Sequence, residues 1–370
     1  MSTLKILHAA DLHLDSAFEA LPAGKAQLRR TEQRELLARL ATLAREEQAQ
    51  LILLAGDLLD SDTSYYETGE ELCRCLAGMN APVFISPGNH DYYSPRSPWA
   101  RIKLPGNVHL FTENAIRGLQ FSTLGIRVYG AAFTEKRSGP LLQGFTAERK
   151  PGMKNILILH GEVGAPADSP YDPITEAELA ASGMDYVALG HIHRASGLRR
   201  AGDTWFSWPG CPEGRGFDEP GRKGVIAGTV DRGACALRFV PLQGARYESL
   251  EVDVTGGDPM ARALAAIGQP EAQAHYRLTL VGETSHAPDP AVLEAALKDR
   301  CAQITVTDNT RVVADLWAGA GEDSLRGEFL ARMERRCEQA DPEQAERIRL
   351  AARLALGAMD GYDFPEMELP

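Results

Sequence analysis

The sequence has no apolar run approaching the ~20 residues that cross a bilayer. His8 and Asp11 stand where a secretory leader would carry its apolar centre, so no leader is expected. Cysteine is sparse: Cys73, Cys75, Cys211, Cys235, Cys301 and Cys337 include no C-x-x-C pair and no regular spacing. Neither a zinc knuckle nor a disulfide framework is indicated, and the expectation is a soluble, unexported protein with reduced thiols in a cytoplasm. No internal repeat or low-complexity tract is found. Positive charge is also short. Lys plus Arg number 39 against 51 Asp plus Glu, a formal net charge of -12, which taken alone argues against a nucleic-acid partner. The deficit is uneven: residues 1–257 carry 27 basic and 31 acidic side chains (net -4), whereas 258–370 carry 12 and 20 (net -8).

What is present is ample apolar material, 44% of 370 residues, more than one compact domain needs. In the first half, "LKILHAA" (4–10), "LILLAG" (51–56), "PVFISPG" (82–88), "NILILHG" (155–161) and "DYVALGH" (185–191) read as buried strands. Between the first two, Leu36, Leu37, Leu40 and Leu43 fall at helical spacing within 31–48, with a cap expected at 31–34. Strand, helix, strand in that rhythm predicts an α/β domain with a largely buried sheet. From about 197 the pattern turns to hairpin-like pieces, which predict a second sheet completing a layered sandwich. Turn residues in "VTGGDPM" (254–260) mark a domain boundary. A small α+β unit follows, with helices near 259–268 and 290–300 and strands at "YRLTLVG" and "QITVTDN", and then two charged amphipathic helices.

Each buried strand of the first half runs into polar chemistry. The endings are Asp11-Leu12-His13, Gly56-Asp57, Gly88-Asn89-His90-Asp91, His160-Gly161 and Gly190-His191-Ile192-His193, and they hold five of the nine histidines. A single such residue is more often a hydrogen-bonded structural group, and a lone Gly-Asp is usually a turn. Five endings together are different, because ligand sites of open α/β sheets lie beyond the carboxyl ends of the strands. Carboxylate oxygen and imidazole nitrogen without thiolate suit Mn²⁺, Fe or Zn²⁺. One carboxylate shared by two cations would hold them ~3.5–4 Å apart, the arrangement that clamps both oxygens of a phosphoryl transfer. Asp57, after a glycine that permits close approach, is the candidate for that shared ligand.

The ordered set resembles the calcineurin-like metallophosphoesterases. "HAADLHLDS", "LLAGDLLDS", "ISPGNHD", "LHGE" and "LGHIH" are similar to the SbcD-type DNA repair exonucleases, in their YhaO-like branch. The resemblance implies a four-layer sandwich of two mixed sheets flanked by helices over 1–255. A small α+β capping domain that positions DNA (256–318) and a C-terminal helical region (319–370) would follow. It implies that Asp11, His13, Asp57 and His193 bind one metal and Asp57, Asn89, His160 and His191 the other, usually manganese. His90 would be the catalytic acid beside the scissile phosphate, attacked in line by a water that the cations activate. Partners implied are DNA, an SMC-like coiled-coil ATPase of SbcC type that docks the C-terminal region, and a second copy of the chain, with no membrane. Asp91 either orients His90 and raises its pKa or caps a following turn.

Weaker signals stay open. Asp60, Asp15 and His8 match no ligand position and are expected to be supporting or structural. Arg215, Arg222 and Lys223 lie on a Gly-rich loop read as a solvated surface segment, with phosphate contact as the alternative. Arg194, Arg199 and Arg200 are candidates for a nucleic-acid backbone. The functional reading is a DNA nuclease. Its rivals are a phosphodiesterase or phosphatase for a small phosphoester, and a non-catalytic scaffold, which would have lost ligands.

Overall fold

The five apolar runs all become strands, but they are divided between two sheets. The computed structural model of the chain describes residues 3–19, 21–61, 65–313 and 316–361, so the last nine residues of the expected C-terminal region lie outside it. The chain divides into two compact units, Met1–Glu248 with Gln273–His275, and Ser249–Ala272 with Tyr276–Pro370.

In the first unit the strands are β1 (Leu4–Ala9), β2 (Leu51–Leu54), β3 (Val83–Ile85), β4 (Val108–Leu110), β5 (Arg117–Phe121), β6 (Ile126–Gly130) and β7 (Lys154–His160). After them come β8 (Glu162–Val163), β9 (Pro173–Ile174), β10 (Tyr186–Gly190), β11 (Arg199–Ala201), β12 (Thr204–Ser207), β13 (Gly224–Asp231) and β14 (Ala234–Pro241). The helices are α1 (Ala23–Glu46), α2 (Tyr66–Ala77), α3 (Pro98–Arg101) and α4 (Glu176–Ala181). One sheet has the order β14-β13-β1-β2-β3-β4 and the other β11-β12-β10-β7-β6-β5. β1 through β4 run parallel, as do β6, β7 and β10. The late hairpin pieces do not build a separate second sheet. β13 and β14 extend the first sheet beside β1, and β11 and β12 extend the second beside β10.

Side-chain alternation shows how the layers stack. In β1, Leu4 and Ile6 belong to an apolar cluster shared with Val128, Ile156, Ile158 and Tyr186, while Leu7 and Ala9 belong to one shared with Leu36, Leu37 and Leu40 of α1. A third cluster joins Leu157, Leu159 and Val187 to Leu179 of α4. Both faces of both sheets are therefore covered, giving helix, sheet, sheet, helix. Burial of each α1 leucine contributes roughly 2–3 kcal/mol. At the interface between the sheets His8 is wholly buried, its Nδ1 2.8 Å from the Tyr186 hydroxyl and its Nε2 3.2 Å from the Leu189 carbonyl. It is a structural residue.

Helix α1 begins at Ala23, behind Pro22, about two turns before the expected cap. Those first turns carry no apolar stripe and are held by polar contacts instead. Arg29 is buried against Glu213, and Gln33 donates to the His13 carbonyl. Asp15 accepts from the Tyr65 amide and the Thr68 hydroxyl at the start of α2, so it too is structural.

A sheet of order β15-β16-β18 is formed by β15 (Arg246–Asp253), β16 (Glu271–Val281) and β18 (Cys301–Asp308), whose residues lie mostly in the second unit. A two-strand pair is formed by β17 (Glu283–Thr284) and β19 (Arg311–Val312). The helices are α5 (Pro259–Ile267), α6 (Pro290–Leu297), α7 (Leu325–Glu338) and α8 (Pro342–Met359), the last two packed together. Three of the four start with Asp-Pro: Asp258, Asp289 and Asp341 cap with their carboxylates, and proline fills the first helical position. Among the described residues no helix is long and apolar enough to cross a membrane, and all six cysteines are free thiols.

Candidate metal centre

The parallel strands of each sheet carry their carboxyl ends to the same rim, where the loops after β1, β2, β3, β7 and β10 meet. Asp11, His13, Asp57 and His191 all adopt left-handed backbone (φ 54°, 45°, 51° and 92°). Four of the nine non-glycine residues in that conformation among the described residues are thus candidate ligands. Backbone strain of this kind collects at functional sites because neighbouring structure must hold it there. Glycine makes the approach possible. A Cβ on Gly88 would lie 2.3 Å from Oδ1 of Asp57 and 2.8 Å from the His160 ring.

The seven predicted ligands do come together. Three sets of donor atoms each lie within 4.8 Å of one another: Asp11, His13 and His193; Asp11, Asp57 and His160; and His13, Asp57 and His90. Asp57 is central. Its Oδ2 is 3.3 Å from Nε2 of His160 and 3.8 Å from Nε2 of His13, while its Oδ1 accepts from the His90 amide. Asn89 Oδ1 lies 3.0 Å from Nε2 of His160 and 3.2 Å from Nδ1 of His191. Both Asp11 oxygens accept from the His191 amide.

All four candidate ligand imidazoles have one nitrogen tied down from outside. Nδ1 of His13 is 2.8 Å from Asp60, Nδ1 of His193 is 2.7 Å from Glu219, Nδ1 of His160 is 2.9 Å from the Ala55 carbonyl, and Nε2 of His191 is 3.0 Å from Glu162. The other nitrogen of each faces the cluster, and those of His13 and His193 lie 3.1 Å apart. An oxygen acceptor on the outer N–H fixes the tautomer so that the inner nitrogen offers a lone pair, the arrangement found around metal-bound histidines.

The electrostatics ask for positive charge in the middle. Burial resists protonating His160, but the charge and hydrogen bond of Asp57 and the charge of Asp11 overcome it and raise the pKa to about 9. Burial likewise opposes an ionised Asp57, and the histidines around it hold it well below the usual carboxylate range. In the metal-free chain a proton on His160 supplies charge that a divalent cation would supply better. The donor set, imidazole with carboxylate and amide oxygen, fits such cations.

His90 is not among the seven predicted ligands, although one of its ring nitrogens lies within 4.8 Å of donor atoms of His13 and Asp57. Its side chain is 43% exposed, and Nδ1 is 3.0 Å from the Asp60 carbonyl. Neither reading left open for Asp91, orienting His90 or capping a following turn, is what its carboxylate does. Asp91 is fully buried and its carboxylate accepts from the backbone amides of Gly88, Asp57, Leu58 and Leu59. Burial and the Asp57 charge push its pKa up to about 7, with the amides pulling the other way. It clamps the loop after β2 to the loop after β3. Proximity in sequence suggested one partner, and the direction of the side chain selected others.

Arg215 is no solvated loop residue either. Its Nη1 is 3.2 Å from Asp60 and its Nη2 2.7 Å from Glu219. Glu219, 5% exposed, is held well below the usual carboxylate range, burial being outweighed by His193 and Arg215. Glu162 and Glu219 were missed from sequence: each sits beside a motif or on the Gly-rich loop, but nothing local says that it meets a histidine. Arg199 and Arg200 pair with Glu176 and Asp203 and lie over Phe206 and Trp205.

Residues 4–195 match the family described as "Calcineurin-like phosphoesterase". The chain is 30% identical over 265 residues to "Uncharacterized metallophosphoesterase YhaO" of Bacillus subtilis (strain 168), covering 69% of this chain and 64% of that protein. It is 28% identical over 224 residues to "DNA double-strand break repair protein Mre11" of Saccharolobus solfataricus, covering 57% and 55%. It is 25% identical over 308 residues to the D component of the nuclease SbcCD of Bacillus subtilis (strain 168), covering 72% and 74%. The chain therefore spans less than two thirds of the first two relatives.

Proposed function

We propose, because the chain belongs to the calcineurin-like phosphoesterase family, that it is a metal-dependent phosphodiesterase acting on DNA as a nuclease. The observation that carries the metal reading is the set of four imidazoles, each with its outer nitrogen on an oxygen acceptor and its inner nitrogen turned towards Asp57, Asp11 or Asn89. Asp11, His13, Asp57 and His193 would hold one cation and Asp57, Asn89, His160 and His191 the other, with manganese the favoured metal. Two cations there would neutralise phosphate charge and activate water for in-line attack.

The chain's own residues do the rest. Asp57, kept in left-handed backbone and clamped through its amide by Asp91, keeps the two halves of the site in register. His90, with Nδ1 directed to the Asp60 carbonyl, can carry a proton on Nε2 to the leaving oxygen. The name of the Mre11 relative, a DNA double-strand break repair protein, supports DNA as the substrate class, and that of the SbcCD relative supports nuclease activity. Residues 256–318 as a DNA-positioning cap, 319–370 as a dock for an SMC-like ATPase, a homodimer and a cytoplasmic location belong to the same proposal.

The acidic balance of the chain, -12, favours the second reading, a small phosphoester as substrate. A labelled DNA duplex and a chromogenic phosphodiester, each with Mn²⁺, separate the two. Cleavage of the duplex that is lost in His90→Ala supports the nuclease, and turnover of the small ester alone would remove it.

A further inference from the structure

The loop between β12 and β13 lies outside all five strand endings, yet two of its side chains close a ring around one half of the site. Starting at His193, Nδ1 meets Oε1 of Glu219 at 2.7 Å. Glu219 is gripped by Arg215, through Nη2 at 2.7 Å and the backbone amide at 2.9 Å. Arg215 reaches Oδ1 of Asp60 at 3.2 Å, and that oxygen is 2.8 Å from Nδ1 of His13. The ring closes where Nε2 of His13 faces Nε2 of His193 at 3.1 Å. Neither His160 nor His191 takes part, since their outer nitrogens rest on the Ala55 carbonyl and Glu162.

We infer that Glu219, locked in place by Arg215, is the positioning residue for one cation only, the one held by Asp11, His13, Asp57 and His193; this rests on the proposed two-cation reading. A carboxylate on Nδ1–H fixes the ring's orientation and makes the opposite nitrogen a stronger ligand, and losing such a partner typically costs ~10–100-fold in metal affinity. Arg215 keeps the carboxylate from swinging to solvent. At the same time it offsets the two negative charges, Glu219 and Asp60, that flank this half.

The test is a titration of Mn²⁺ into the metal-stripped full chain, with bound ions counted and the electron paramagnetic resonance spectrum recorded. Wild type should take two ions that show the spectrum of a coupled pair. Glu219→Ala should keep one affinity and weaken the other ~10–100-fold, and the spectrum at partial loading should become that of an isolated Mn²⁺. Glu219→Gln fills the same volume and leaves an oxygen on Nδ1, so it should fold as wild type and fall between. Glu162→Ala should spare the affinity that Glu219→Ala loses. Two unchanged affinities in both Glu219 variants, or equal loss of both in Glu219→Gln, would overturn the inference. Fewer than two ions in wild type would instead overturn the two-cation reading on which it stands.

Discussion

Adding one methyl group at Gly88 tests whether Asp57 is the shared centre of the site. The backbone there is not left-handed, so alanine is tolerated conformationally, and the effect of Gly88→Ala comes from what its Cβ meets. That atom would sit 2.3 Å from Oδ1 of Asp57 and 2.8 Å from Cε1 and Nε2 of His160. Ordinary contact begins near 3.4 Å, so something must move by about 1 Å. The neighbours cannot yield freely. Asp57 is tied through its amide to Asp91 and through Oδ1 to the His90 amide, and His160 is tied to the Ala55 carbonyl. Overpacking of this kind costs ~1–3 kcal/mol in stability, which leaves the chain folded given the ~5–15 kcal/mol usual for a domain. Activity should suffer more, because a ~1 Å misplacement can cost ~10²-fold in rate. Mn²⁺ affinity measured by calorimetry and kcat on a phosphodiester should both fall, whereas Gly106→Ala, whose Cβ meets nothing within 4 Å, should leave both unchanged. Mn²⁺ affinity in Gly88→Ala within about twofold of wild type would refute a central, shared Asp57.

Three further outcomes are expected. His90→Ala should retain its full metal complement, measured by elemental analysis, while kcat drops ~10²–10⁴-fold; loss of metal would make His90 a ligand instead. Because the metal-free His160 imidazole has its pKa raised to about 9, a cation must displace that proton. The apparent affinity for Mn²⁺ should rise about tenfold per pH unit up to about pH 9 and then level off, and a flat profile from pH 7 to 9 would contradict this. His8 is buried and, chiefly through that burial, its pKa is lowered to about 3 from 6.5. The unfolded chain therefore binds the extra proton first, and the contribution is complete above pH 6.5 and lost as pH falls towards 3, on the order of 4–5 kcal/mol. Urea unfolding across that range should show a shallower acid loss in His8→Asn, and parallel curves would assign the acid sensitivity elsewhere.

Much of the site was legible because its signals are local. A buried run ending in Gly and then Asp, Asn or His can be read without knowing the neighbours, and all seven predicted ligands converge. The same locality explains the Asp-Pro helix starts, where the cap and the helix share one sequence segment. Misreadings arose where the decisive partner is distant. Helix α1 starts early because Arg29 and Gln33 find Glu213 and the His13 carbonyl. Asp91 turns from adjacent His90 to amides of the loop after β2, and Arg215 is held by Asp60 and Glu219.

By itself the sequence determined which chemistry each strand end would carry, since apolar run length and the polar residues that follow are properties of a few consecutive positions. Only the tertiary structure decided that β1, β2 and β3 lie in one sheet and β7 and β10 in the other. It also decided that Glu162 and Glu219 face histidines and that Asp60 rather than Asp91 serves His90. Strands apolar on both faces specify burial but not neighbours, and a carboxylate shows its partner only once folding has aimed it.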